Sequence, residues 1–277
     1  MRVFVINLKR RPDRLAAVTA ALPDAWQKPI DQGGITEFTT EWSGPVDGER
    51  LKSEADLKAA GIALYPGWQL PNSGNDWWSR PMKKGEIGCA YSHLSVWRRA
   101  RELFVQDETL HHVVILEDDV HCGGDETKRA AFPEMLKQTI EKLSTITWDL
   151  LYLGRVLHPG YKDHPLTLHG DNIQGVVEPG FSYCMYGYIL SRTGVERLLS
   201  TNFHEAVIPV DEFLPACYTM HPRSDIAQLY PPILRAYSVD PYLIFQRTKL
   251  DGGSDTEQSA LWQKEKVQMF EEKISTC

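Results

Sequence analysis

The chain reads as short apolar runs separated by stretches of helical periodicity. Val3-Phe4-Val5-Ile6-Asn7-Leu8 is a run of strand length. Pro12 follows, a residue suited to a first helical turn because the N–H it lacks would have no partner there, and Leu15, Val18 and Leu22 recur at helical spacing. From Asp31 to Asp76 the chain is rich in Gly, Pro, Asn and Trp and reads as loops with short elements. Ile87, Ala90, Leu94, Trp97 and Phe104 predict a second amphipathic helix, and Val113-Val114-Ile115-Leu116 a β-branched strand that runs directly into acid. Met135, Ile140 and Leu143 mark a helix before a strand at Trp148–Leu153. Gly187-Tyr188-Ile189-Leu190 precedes a helix around Gly194 to Leu199, and from Asp251 the tail is Gly-rich and then charged. Strands alternating with helices predict an α/β layer fold with a mostly parallel sheet. In such sheets ligands sit at the carboxyl ends of the strands.

Composition narrows the classes. With 42% hydrophobic and 24% charged residues, the 277-residue chain can bury a substantial core, so wholesale disorder is excluded. Thirty Lys+Arg against 37 Asp+Glu leave a formal charge of −7, the wrong sign for a nucleic-acid-gripping face. No stretch approaches the ~18 consecutive apolar residues of a membrane span, leaving at most peripheral membrane contact. The opening apolar stretch is too short for a signal peptide, and Lys9, Arg10 and Arg11 follow it at once. A cytoplasmic location is therefore expected, with the ER lumen only for a trimmed chain. Cys89, Cys122, Cys184, Cys217 and Cys277 are odd in number and form no C-x-x-C pair, which argues for free, mostly buried thiols. No repeat or linker divides the chain. One domain is expected over 1–277, in two parts, about 1–125 and about 126–277.

The common α/β chemistries lack their signatures. There is no G-x-G-x-x-G after the first strand, no G-x-x-x-x-G-K-[ST], no H-E-x-x-H at His204-Glu205 and no G-x-S-x-G. What remains is Glu117-Asp118-Asp119 at the end of an apolar strand. Such carboxylates offer the hard oxygen ligands that Mg²⁺ or Mn²⁺ prefers; a solvated acidic turn is the plainer alternative. Lys9-Arg10-Arg11-Pro12-Asp13-Arg14 sets cations at a helix start, against the helix dipole, which calls for a nearby anion unless solvent and Asp13 suffice. Asp211 and Glu212 lie among apolar residues at another helix start, where an ionised, partly buried carboxylate is either a candidate general base or a helix cap. Gly252-Gly253-Ser254-Asp255-Thr256-Glu257 reads as a mobile acid-bearing loop or a plain turn.

In this order the segments resemble glycosyltransferase family 25, which includes bacterial lipooligosaccharide galactosyltransferases and the catalytic half of animal collagen hydroxylysine galactosyltransferases. The stretches that carry the resemblance are VINLKRRPDR (5–14), VDGERL (46–51), MKKGEIGCAYSHLSVW (82–97), VVILEDDV (113–120) and WDLLYLGR (148–155). They continue with YGYILSRTGVERLL (186–199), PVDEFLP (209–215), YSVDPYLI (237–244) and SDTEQSALW (254–262), covering nearly the whole chain. PVDEFLP, YSVDPYLI and SDTE look closer to the collagen branch.

The resemblance implies a GT-A-like fold, a UDP-sugar donor (UDP-galactose foremost), Mn²⁺ and an inverting transfer to a glycan or hydroxylysine-peptide hydroxyl. On that pattern Glu117-Asp118-Asp119 is the counterpart of the DxD motif, with Asp118 and Asp119 holding the metal. Asn7, Arg10 and Arg14 would line the nucleotide pocket, with Glu117 beside the donor and His93 either beside it too or a polar core histidine. Asp211 would be the base, Glu212 its rival, and Asp255 would help close the donor site. Tyr65, Trp68, Trp77 and Trp78 would either stack on a sugar or pack in the core. Missing targeting segments favour a bacterial or viral relative over an animal enzyme. Two other readings stay open: a UDP-sugar hydrolase with water as nucleophile, and a non-catalytic sugar-nucleotide-binding module.

Overall fold

The computed structural model describes residues 1–38, 47–123, 126–168, 170–247 and 255–262. Gly252, Gly253, Ser254 and Cys277 lie outside the described residues. An eight-stranded sheet carries the fold. Its strands are β1 (Arg2–Ile6), β2 (Thr36–Phe38), β3 (His112–Glu117), β5 (Leu150–Leu157), β6 (His164–Leu168), β7 (Asp171–Glu178), β8 (Ser182–Ser191) and β9 (Ala236–Val239), in the order β2-β1-β3-β8-β5-β9-β7-β6. β1 pairs parallel with β2 and β3, and β5 with β9. β8 is antiparallel to both β3 and β5, and β7 to both β9 and β6. Following those directions across the sheet, β2, β1, β3, β5, β9 and β6 point one way while β8 and β7 run against them. The expected mostly parallel sheet thus holds in strand direction, although neighbour pairing is mixed.

Period-2 alternation explains how the sheet is covered. Phe4, Ile115, Tyr152 and Tyr188 face one cluster, built with helices α3 (Lys84–Gln106), α5 (Arg192–Ser200) and α6 (Val210–Ala216). Val3, Val5, Val114, Leu116, Leu151 and Ile189 face the other, with α1 (Pro12–Ala21) and α4 (Glu126–Lys142). Both faces are therefore buried, which is why these strands read as continuous apolar runs. The layered α/β architecture is the one expected of a GT-A-like fold. Smaller elements complete it: α2 (Glu54–Ala59), α7 (Ser224–Leu229), α8 (Asp255–Gln258), and a two-stranded ribbon of β4 (Val120–His121) with β10 (Phe245–Gln246).

Three features of this fold place the site. The carboxyl ends of β1 and β3 lie side by side, Ile6 opposite Glu117. Because β8 runs the other way, with Gly187 opposite Leu116, its first residues arrive at that same edge. Finally, the segment leading into β10 crosses the sheet at Gly154 and Gly187. Leu243 and Ile244 donate their N–H groups to the Leu153 carbonyl there. A Cβ on Gly154 would strike the Ile244 carbonyl, and one on Gly187 would stand 2.9 Å from Ile244 Cγ2. The crossing delivers Gln246 and Arg247 to the acids that follow β3. Among the described residues no helix is long and apolar enough to cross a membrane, and Cys89, Cys122, Cys184 and Cys217 are free thiols.

Candidate functional site

Two clefts open along this sheet edge. The first, about 280 Å³, lies between the ends of β1 and β3, the start of α3 and the α8 segment. Gly85 admits that segment: a Cβ there would come within 2.7 Å of Thr256 Cα, and the Gly85 N–H donates to Ser259 Oγ at 2.9 Å. Its wall is charged. Asp118 is buried and accepts from Asn7 Nδ2 through Oδ2 and from Arg14 through Oδ1, both at 2.7 Å. Asp119, also buried, accepts from Gln246 Nε2 at 3.0 Å through Oδ2, while its Oδ1 has no hydrogen-bond partner among the described residues. Burial, then repulsion from Glu117, lifts the Asp119 carboxyl to about 6. Burial likewise raises Asp118, although Arg14 and Asn7 pull against it.

Asp255 sits across the cleft amid arginines. Arg10 donates to it at 3.1 Å and to Asp47 at 2.8 Å, Arg11 donates to it and to Asp13, and Arg14 stands 3.7 Å away. Burial alone would raise Asp255, but the three cations together hold it below the usual carboxylate range. The cations expected to need an anion at the start of α1 thus have one, supplied from the far end of the chain.

The second cleft, about 240 Å³, combines aromatic side chains with Lys83, Glu86 and further acids, and shares Cys89, Glu117 and Thr256 with the first. Trp68, Trp77 and Tyr183 line it, with Asp211 and Glu212 from the first turn of α6. Pro209, not Asp211, occupies the cap position of that helix. The two acids differ sharply. Glu212 is buried and accepts from His221 Nε2 at 2.7 Å, Trp78 Nε1 at 3.1 Å and the Tyr183 hydroxyl at 3.3 Å. Its histidine is fixed as the Nε2–H tautomer, since Nδ1 accepts from the Arg223 N–H at 2.9 Å. Asp211 has one weak partner, the Met185 N–H at 3.3 Å. Burial, then repulsion from Glu117, lifts Asp211 to about 7, poised to exchange a proton near neutrality. The Met185 N–H is aimed by the preceding residue: Cys184 takes the left-handed conformation (φ 58°), uncommon for a residue with a Cβ.

Between the clefts, Cys89 Sγ, His93 Nε2 and Glu117 lie within 4.8 Å of one another, close enough to suggest a metal cage. The hydrogen bonds of the three instead engage them with one another. Burial pushes the Cys89 thiol far above its ordinary range and holds His93 neutral, down to about 4. Sulfur and imidazole both direct hydrogens at Glu117 Oε1, at 3.6 and 3.2 Å. Burial, then Asp118, raises Glu117 to about 7.

Arg10, Arg14, Glu117, Asp118, Asp119 and Asp255 therefore meet at one cleft and Asp211 and Glu212 at its neighbour, whereas Asn7, expected in the pocket wall, is buried behind Asp118, and His93, also fully buried, lies behind the seam and lines neither cleft. The expected aromatic group divides. Trp77 is 51% exposed with Arg80 stacked 5.0 Å from its ring, whereas Trp68 is core and Tyr65 and Trp78 hold Asp225 and Glu212. Sequence reasoning missed Gln246, Arg11, His221 and Tyr183. Arg11 alone had a signal, its place among the cations before Pro12.

The chain matches the family model of glycosyltransferase family 25 (LPS biosynthesis protein) over residues 66–214, more than half its length. It is similar to human procollagen galactosyltransferase 2, 33% identical over 276 residues covering 96% of this chain and 38% of that protein. It is also similar to human inactive glycosyltransferase 25 family member 3, 35% identical over 265 residues covering 94% and 39%. The zebrafish (Danio rerio) procollagen galactosyltransferase 1 is 32% identical, with 96% and 40% covered. The chain thus spans about two fifths of the length of the curated relatives it matches.

Proposed function

Because this chain belongs to glycosyltransferase family 25, we propose that it transfers a hexose, galactose foremost, from a UDP-sugar to a hydroxyl of a glycan or hydroxylysine-containing peptide, with inversion. The observation that carries this reading is the pair of clefts sharing Glu117: an arginine-rich one suited to a metal and a diphosphate, and one lined by aromatic rings and acids in which Asp211 is under-bonded. The donor set fits a divalent cation, for the buried Asp119 Oδ1 has no partner among the described residues. Asp119, with Asp118 beside it, would hold Mn²⁺, which when bound neutralises charge on the leaving diphosphate. Arg10 and Arg14, joined by Arg11, would face the same phosphates and stabilise the charge that grows as the glycosidic bond breaks. Asn7 steadies Asp118, and Asp255 brings α8 over the donor.

On the acceptor side, Asp211 would take the hydroxyl proton as that oxygen attacks the anomeric carbon and the bond to the diphosphate breaks on the opposite face. Its lone backbone partner leaves lone pairs for this. Glu212, already accepting from three donors, would fix Trp78 and Tyr183 around the acceptor. The inactive human relative supports a second reading, a sugar-nucleotide-binding module without turnover. A panel of UDP-sugars, each with and without Mn²⁺, against hydroxylysine-peptide and β-glycoside acceptors decides the matter. Acceptor-dependent UDP release that needs Mn²⁺ is expected. Acceptor-independent release of free sugar would make the chain a hydrolase, and donor binding without release would make it a module.

A further inference from the structure

Behind the seam of the two clefts runs a chain of hydrogen bonds that the proposed transfer does not use. Cys89, His93 and Trp97 stand four residues apart on one face of α3, so their side chains stack along it. Trp97 Nε1, which can only donate, reaches the Tyr188 hydroxyl oxygen at 3.0 Å. The hydroxyl hydrogen of Tyr188 then goes to His93 Nδ1, 2.7 Å away, because leaving it unspent in a fully buried place would be costly. This fixes the imidazole with its lone pair on Nδ1 and its hydrogen on Nε2, directed at Glu117 Oε1. Cys89 reaches the same oxygen. Oε1 is thus committed twice, while among the described residues no hydrogen bond engages Oε2. Glu117 nevertheless keeps part of its side chain exposed (24%) and lines both clefts. A sugar passing from a diphosphate in one to a hydroxyl in the other has to pass this residue.

We propose that His93 is a positioning residue that turns Glu117 Oε1 back into the protein and presents Oε2 to the seam, where it accepts a hydrogen bond from a hydroxyl of the donor's hexose. Glu117 then reads the sugar, and the Trp97–Tyr188–His93 chain sets how sharply it reads. The inference rests on the donor reading of the first cleft and deepens it.

Calorimetric titration of UDP, UDP-galactose and UDP-glucose with Mn²⁺ tests it, because the affinity a hexose adds to UDP can be measured without turnover. In His93→Leu, UDP affinity is expected to hold while the hexose increment falls on the order of tenfold, the worth of a hydrogen bond to a charged group. His93→Gln, which restores an N–H near Nε2, recovers most of that loss, which a purely structural role would not predict. Tyr188→Phe frees the tautomer and keeps the ring, giving an intermediate loss; it serves as the reading if His93→Leu fails to fold. Equal weakening of UDP and UDP-hexose would place the imidazole on the nucleotide or the metal and overturn the proposal. So would an unchanged hexose increment in the variants, or its absence from the wild type. If the wild type shows the increment but transfers to no acceptor, the transferase reading falls and the positioning role stands.

Discussion

The two clefts solve the same problem, a carboxylate held out of water, by opposite means. In the first, charge meets charge: Asp118 and Asp255 lie against arginines, and Asp255 stays below its ordinary range despite its burial. In the second, acid meets neutral donors: Glu212 rests on an indole, a phenol and an imidazole, and Asp211 on one backbone N–H. A site built on ion pairs responds to other ions, to salt and metals and phosphates. A site built on burial responds to protons. The proposed function uses that contrast, with a charged leaving group bound in one cleft and a proton transferred in the other.

The strongest way to break it is Asp119→Ala, which removes the acid with the uncommitted oxygen. Mn²⁺-dependent turnover should fall on the order of 10³-fold or more, since metal stabilisation of a leaving diphosphate amounts to several kcal/mol. Circular dichroism should show the fold intact, and undiminished activity with Mn²⁺ would remove the metal assignment. Next comes Asp211→Asn, expected to cost roughly 10²- to 10⁴-fold in transfer, the usual range for a general base, with UDP-sugar binding kept in calorimetry. Loss of donor binding would make Asp211 a donor ligand. Glu212→Gln sharpens the pair: it should lose about 1–3 kcal/mol of stability in denaturant unfolding and retain more transfer than Asp211→Asn. The reverse ranking would exchange their roles.

Trp77→Ala should raise the acceptor KM by roughly threefold to tenfold, the worth of one stacked ring, and leave the donor KM alone; a donor effect instead would move Trp77 to the other cleft. The smallest effect is thermodynamic. The folded-state value of Asp211, about 7, lies above that of an unfolded aspartate. The folded protein therefore keeps a proton the unfolded chain has released, and this contribution to stability is lost as pH rises through about 7. Asp211→Asn, lacking the group, should gain on the wild type by a few degrees of Tm between pH 5.5 and 7.5. Parallel melting curves would show the acid to be unburied.

The sequence was most readable where burial is two-sided. β1, β3, β5 and β8 are apolar along their central stretches, and α3 repeats its apolar face for 23 residues, so pattern and structure agree. The β6–β7 hairpin escaped because it shows little to the core, with Leu166 and Val176 its fully buried side chains. Asp118 and Asp119 were legible because a strand runs straight into them. Gln246 was not: it belongs to no pattern and matters through a contact with a residue 127 positions away. The separation of Asp211 from Glu212 was equally hidden, since it depends on Tyr183, Trp78 and His221 arriving from three other segments.

The crossing of Ile244 over Gly154 and Gly187 has a consequence for how this protein can fail. One methyl group at either position would lift the strand that carries Gln246 and Arg247, and with it the two contacts that seat Asp119 from below. On the proposed metal role of Asp119, such a lesion would register as poor metal affinity in a protein whose acids are all present. Loss-of-function substitutions in chains like this one are therefore to be sought beneath the sheet edge as well as among the groups that meet the ligand.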